Sequence, residues 1–221
     1  MLPPLVVVIV GLMLAAFARS LPLPAETGFP VAQAAPLDAE APTALVVPVE
    51  IASGGTSAIA ALFTPEVQYW GGKITAWAAQ AGLDPNLVAT VMQIESCGDP
   101  QARSRAGAAG LFQVMPYHFA AGENAYDPDT NALRGTGYLS RSLATANGDA
   151  RLAFAGYNGG IGVIGRLESS WAAETQRYAY WGSGIYADAS QGAASSPRLD
   201  EWLQAGGASL CRQAKARLGL P

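Results

Sequence analysis

The chain is short of charge, of cysteine and of histidine. Charged residues make up 14% of its 221 positions, and the net charge is −4. No cluster of lysines and arginines exists to neutralise a phosphate backbone, which excludes nucleic acid as a partner. The one histidine, His118, has no serine or metal-ligand residue at a telling spacing, so a catalytic triad and a zinc centre both fall away. No metal and no cofactor is expected. Period-two alternation is missing, which argues against a sheet and for a mainly α fold. Half of the residues are apolar, enough for one globular domain with tails. A mostly neutral glycan stays open as a ligand, because aromatic faces and hydrogen bonds would hold it.

Two formal motifs also fail on inspection. Residues 160–165 spell G-x-G-x-x-G, but they follow a predicted helix and lie in no βαβ unit. Asp127, Asp129 and Asn131 imitate the start of a calcium loop, yet Ala132 and Tyr138 occupy the places of its glycine and glutamate.

The N-terminal apolar run from Leu5 to Phe17 is short for a membrane span and fits the core of an export signal. No cysteine follows it closely, so a lipoprotein anchor is excluded. Its flanking charge is the reverse of the usual arrangement, with Arg19 behind it and no basic residue ahead. The expectation is an extracytoplasmic protein, either cleaved or held to the membrane by residues 1–19. Residues 20–58 are rich in proline and alanine without periodicity, the composition of a disordered linker. A catalytic domain is expected over 59–190, with a C-terminal helix at 191–221 packed on it.

Helix signals are strong within that domain. Thr64-Pro65 opens a helix reaching about Gln80, ended by Gly82. Asp84-Pro85 opens the next, with Leu87, Val88, Val91 and Met92 at helical spacing. Others are predicted from Asp129 to Ala146, from Asp149 to Tyr157 and from Trp171 into the Tyr180 region. The last spans Ser196-Pro197 to Leu218, with a break at Gly206-Gly207. Trp70, Trp77 and Trp202 read as core.

Glu95 falls four residues after Val91, on or beside the buried stripe and at the C-terminal end of its helix. The negative end of the helix dipole and partial burial both disfavour its charged form. A pKa of roughly 6 is the expectation for a general acid so placed. The plainer alternative is a surface glutamate at a frayed end. The cysteines are two, Cys97 and Cys211, and an even count in an exported chain suggests a disulfide, with two buried free thiols as the alternative. A bridge would pin the C-terminal helix beneath the loop that follows Glu95.

Three blocks carry a family likeness: Q-I-E-S at 93–96, A-G-A-A-G-L-F-Q-V-M-P at 106–116 and A-G-Y-N-G-G at 155–160. In this order and spacing they resemble the signature blocks of soluble lytic transglycosylases, whose lysozyme-like domain is related to goose-type lysozymes. The resemblance implies that Glu95 is the single catalytic acid/base and that Ser104 contacts substrate near it. It implies that Gln113 and Met115 line the sugar cleft, that Tyr157 lies near the acid and that Asn158 positions substrate. Glu174 and Tyr178, in E-T-Q-R-Y, match more loosely a later block that closes the cleft. Gly156 departs from the family's usual alanine, and Cys97 from its more common residue after Glu-Ser.

The implied reaction cleaves peptidoglycan glycan strands between N-acetylmuramic acid and N-acetylglucosamine, leaving a 1,6-anhydro end, with the protein acting as a monomer. Most glycosidases use two carboxylates. Here Asp99, Glu123, Asp127 and Asp129 each have a simpler reading, as turn or capping residues for the aspartates, which favours substrate assistance. A hydrolase of the same fold and a non-catalytic wall-binding module are the alternatives.

Overall fold

A computed structural model describes residues 59–221. The expected export segment at 1–19 and the linker at 20–58 lie outside the described residues. Among the described residues the only β-type pairing is two isolated bridges, Arg103 with Ala109 and Ala109 with Val114, so the fold is mainly α.

The helix that ends in the candidate acid, α3 (Pro85–Glu95), is buried at every position from Leu87 to Ile94. A helix covered on all sides belongs in the middle of a domain. Two others, α1 (Pro65–Gln68) and α2 (Gly71–Ala81), pack against it, as does α6 (Ala173–Ser190). A second layer is made by α4 (Pro128–Thr145) and α5 (Ala150–Gly159), with α5 held between α4 and α6. The helix starts follow from local chemistry. Asp84 caps α3 by accepting from Asn86 N at 2.7 Å, Asp127 caps α4 through Thr130 N at 2.8 Å, and Asp149 caps α5 through Leu152 N at 3.0 Å.

Three boundaries differ from the sequence expectation. The first helix is two, α1 and α2, because the chain breaks at Tyr69-Trp70 to bury Trp70, whose indole N–H donates to Gly98 O at 2.9 Å. The next two, α5 and α6, run past their expected ends to Gly159 and Ser190. At the C-terminus, α7 (Pro197–Trp202) and α8 (Ala208–Leu218) are joined by one π-helical turn, Leu203–Gly207, whose Gly206 has φ 129°. The glycine pair breaks the helix as expected.

Several polar groups inside this core are satisfied, Tyr178 Oη and the Trp181 indole N–H being exceptions. Thr90 donates to Asn86 O at 2.7 Å. The buried Gln93 accepts from Thr64 N and Thr64 Oγ1, both at 3.2 Å, and its Nε2 packs 3.1 Å from Cys97 Sγ and 3.6 Å from Cys211 Sγ. Cys97 and Cys211 form a disulfide across a sequence separation of 114 residues, with Cα atoms 4.9 Å apart. Arg217 on α8 lies 3.6 Å from the buried Asp99. Both links attach α8 under the loop that leaves α3. The Glu66 carboxylate lies 4.0 Å from Cys97 Sγ, but the two sulfurs are bonded to each other and offer no thiolate there.

Gly156, the departure from alanine, has a packing cause. A Cβ at that position would stand 2.3 Å from Ser142 Oγ and 2.6 Å from Ile164 Cδ1. Ser142 cannot easily yield, since its hydroxyl donates to Ala153 O at 2.8 Å.

Candidate active site

Beyond Glu95 the chain reverses sharply. Ser96 leaves the helix and Cys97 adopts φ 52°, a left-handed value that a side chain rarely takes. The disulfide holds Cys97 there, and Ser96 Oγ donates to Leu111 O at 2.7 Å. The long segment between α3 and α4 thus folds back over the end of α3.

That segment is fixed by hydrogen bonds rather than by regular structure. Ala109 and Val114 exchange N–H···O bonds at 3.0 Å in both directions. Asn131 on α4, fully buried, accepts from Phe112 N at 2.8 Å and donates to Ala109 O and Ala125 O at 2.8 and 2.9 Å. Tyr157 on α5 donates to Phe112 O at 2.8 Å. Gln113 sits at φ 46°, held by its own Nε2, which donates to Ala102 O and Gly110 O at 3.1 and 3.0 Å. With both N–H groups engaged, the Gln113 carbonyl oxygen is what remains to meet a ligand.

A cleft of about 340 Å³ opens against these elements. Of the residues named from sequence, Glu95, Ser104, Gln113, Met115, Tyr157, Asn158 and Glu174 all line it. Ser104 Oγ also accepts from Ala108 N at 3.0 Å, so this serine closes a turn with one lone pair and keeps its proton for the cleft. Tyr178 lies behind the lining, buried, with its ring 6.4 Å from that of Tyr157 and nearly parallel to it.

Glu95 is partly covered at the cleft floor, and its carboxyl is pushed up to about 8. Burial is the main cause, the Tyr178 hydroxyl pulls the value partly back, and the negative charge of Glu174 pushes it up again. The Tyr178 hydroxyl makes no fully formed hydrogen bond within the protein, so it acts on Glu95 as a nearby O–H dipole. Burial beside Glu95 also holds the Tyr157 and Tyr178 phenols well above their usual range, hence neutral. The value near 8 exceeds the expected 6, because burial, expected as partial, is the largest cause and outweighs the lowering by Tyr178.

The other acids near in sequence are committed elsewhere. Asp99 accepts from Gln101 N at 2.8 Å, and Asp127 is the α4 cap. Asp129 is held low by Lys73 at 2.8 Å and by the Trp77 indole at 2.9 Å. Glu123, read from sequence without a partner, is gripped by both arms of Arg134. The second carboxylate on the cleft is Glu174, exposed in the first turn of α6 and distant in sequence from all of these.

Three ring-bearing lining residues were not proposed from sequence as part of the site: Tyr117, His118, which was dismissed as a triad or zinc residue, and Tyr138. They form a ring-to-ring series, Tyr117 to His118 at 4.5 Å, His118 to Tyr138 at 5.0 Å and Tyr138 to Tyr157 at 5.7 Å. The series runs from the exposed rim at Tyr117 toward Glu95. Burial and then Arg141 lower the His118 pKa, so at neutral pH this ring is an uncharged surface. A signal for Tyr138 did exist. Asn131, Gly135 and Tyr138 stand at i, i+4 and i+7, a single face of α4, and that face meets the cleft.

Residues 72–180 match the family model described as the transglycosylase SLT domain. The chain is 40% identical over 111 residues to a transglycosylase of Enterobacteria phage PRD1, covering 49% of this chain and 40% of that one. It is 32% identical over 111 residues to the membrane-bound lytic murein transglycosylase C of Photorhabdus laumondii, covering 40% of this chain and 30% of that protein. The match thus spans less than half the length of these relatives. Among solved structures it is similar to a lytic transglycosylase Slt of Pseudomonas aeruginosa, an inactive mutant, at 24% identity and a TM-score of 0.46, over 57% of this chain and 25% of that one.

Proposed function

We infer, from the transglycosylase SLT domain that this chain carries over residues 72–180, that it is a peptidoglycan lytic transglycosylase. It cleaves the β-1,4 bond between N-acetylmuramic acid and N-acetylglucosamine, with Glu95 as the one acid/base. The observation that carries this reading is the state of Glu95: a cleft carboxyl raised to about 8 holds its proton at neutral pH. An acid so poised donates to the bridging glycosidic oxygen as the bond to the muramoyl C1 breaks. The acetamido oxygen of the same sugar stabilises the positive C1. Glu95, now a carboxylate, takes the proton of the C6 hydroxyl, and O6 bonds to C1 to close the 1,6-anhydro ring. The internal hydroxyl is favoured over water because a well-oriented intramolecular group can act at an effective concentration of about 10⁵ M or more.

The remaining cleft residues take supporting parts. Ser104 and Asn158 hydrogen-bond the glycan, and Gln113 offers its carbonyl. Met115 gives apolar surface, Tyr157 fixes the wall behind the acid, and Tyr178 limits the rise in the Glu95 pKa. Glu174 adds a lesser push toward the protonated form of Glu95 and bounds the cleft. The domain spans 59–190, with 191–221 stapled to it by Cys97–Cys211, and works as a monomer. Its place is outside the cytoplasm, in the cell envelope where the substrate is.

A second reading is favoured by Glu174 itself. Two carboxylates on one cleft are what a hydrolase uses to activate water. Digestion of purified peptidoglycan, read by mass spectrometry, separates the two. The transglycosylase gives anhydro products lighter by one water than those of a hydrolase. Glu95→Gln abolishes lysis under either reading; unchanged lysis in that variant rejects both.

A further inference from the structure

We infer that Thr175 is a positioning residue, which sets the end of the Asn158 amide that faces the cleft. The inference rests on the reading of Asn158 as a glycan-contacting residue. Thr175 lies in the first turn of α6 and is 3% exposed. Its hydroxyl makes one hydrogen bond, donating to Asn158 Oδ1 at 2.8 Å. A hydroxyl has a single proton to give, and here that proton goes to the amide oxygen.

The consequence falls on Asn158. With Oδ1 held from behind by Thr175, a flipped amide would have to donate Nδ2–H to Thr175 Oγ1 instead, and the buried hydroxyl proton would lose the acceptor it has here. The free part of the side chain is then the Nδ2 amino group, and Asn158 lines the same cleft as Glu95. Asn158 therefore serves an acceptor oxygen of the substrate and disfavours an N–H or O–H donor at that place. The contact is possible because α5 and α6 approach very closely at this point. A Cβ on Gly159 would stand 2.8 Å from both Thr175 Cγ2 and Thr175 Oγ1. Gly159 belongs to the A-G-Y-N-G-G block, and the approach gives it a packing reason.

The test uses the full chain with Thr175→Val, Thr175→Ser, Asn158→Ala and the double variant of Thr175→Val with Asn158→Ala. Thr175→Val keeps the shape and removes the donor. It should lower kcat/KM on purified glycan strands by about tenfold, equivalent to about 1.4 kcal/mol, while the melting temperature stays near that of the wild type. Thr175→Ser, which keeps the hydroxyl, should stay within about twofold, a span worth less than about 0.5 kcal/mol. In the Asn158→Ala background Thr175→Val should cost nothing further, because its effect passes through Asn158. Full activity in Thr175→Val overturns the inference, and so do losses that multiply in the double variant. Thr175→Ala carries the same comparison if the valine variant does not fold. The Asn158 side-chain amide signals in ¹⁵N NMR of the free chain decide the point without turnover. They should move in Thr175→Val and hold in Thr175→Ser, and unmoved signals in Thr175→Val reject the hydrogen bond. A wild type that releases no glycan fragments would reject the transglycosylase reading, and the NMR comparison would still decide this one.

Discussion

The hydroxyl of Tyr157 donates to the carbonyl oxygen of Phe112 at 2.8 Å, tying α5 to the segment that forms the far wall of the cleft. Phe112 is fully buried, and its backbone N–H is already held by Asn131 at 2.8 Å. The peptide groups on either side of this residue are thus each fixed by a side chain from a different helix.

Removing the Tyr157 hydroxyl leaves a buried carbonyl without that donor. Tyr157→Phe should destabilise the domain by about 1–3 kcal/mol, seen as a lower midpoint in chemical denaturation. Lysis should fall as well, since the Phe112–Met115 wall loses one of its two side-chain ties to the helices. An unchanged midpoint would mean that the bond does not hold the wall.

Glu95 makes stability depend on pH in a direction opposite to that of a salt-bridged acid. Its ordinary value is near 4.5 and its folded value is about 8. Between these limits the folded chain holds a proton that the unfolded chain has lost. Stability contributed by this group is complete below about 4.5 and declines as pH rises toward 8, by up to about 1.4 kcal/mol per pH unit. Glu95→Gln removes the decline. The variant should therefore gain on the wild type between pH 5 and pH 9, by a few kcal/mol at most. Lysis by the wild type should fade above about pH 8 as the donor deprotonates. Parallel stability curves for the two proteins would show that Glu95 titrates as an exposed acid.

How much of this was readable beforehand follows from distance along the chain. Asp84-Pro85, Asp127-Pro128 and Asp149 announced their helices because a cap acts within three residues. The stripe of Leu87, Val88, Val91 and Met92 marked α3 as a packed helix with Glu95 at its end, but not that it is covered on every side. Tyr117 and His118 were not readable, since their place depends on the path of a segment with no periodicity. Glu174 was named from the loose E-T-Q-R-Y match, but its place as a second carboxylate beside Glu95 follows only once α6 folds across α3. Gln113 was named by motif, but its positive φ and its engaged amino group follow from tertiary contacts alone.

Cys97 and Cys211 close a loop of 114 residues that contains every lining residue of the cleft except Glu95. On chain entropy such a loop is worth up to about 5 kcal/mol, with about 2–5 kcal/mol the usual loss when a native bridge is removed. Replacing both cysteines by alanine should lower the melting temperature accordingly. A reductant able to reach the bridge should lower that of the wild type and leave the double variant unmoved. If the two proteins melt together in oxidising buffer, the bridge contributes nothing to folding.

Gly156→Ala tests whether a departure from the family pattern is forced by neighbours or is incidental. The added methyl would stand 2.3 Å from Ser142 Oγ and 2.6 Å from Ile164 Cδ1. Helix propensity alone favours alanine, by about 1 kcal/mol over glycine. Overpacking opposes it at about 1–3 kcal/mol, and Ser142 can retreat only by giving up its bond to Ala153 O. The clash should therefore win, and Gly156→Ala should be less stable than the wild type. Adding Ser142→Gly, which removes the nearest obstructing atom, should return part of the loss by letting the methyl occupy the vacated space. A Gly156→Ala variant more stable than the wild type would show that α4 and α5 separate readily, and that the glycine is not there to let them meet.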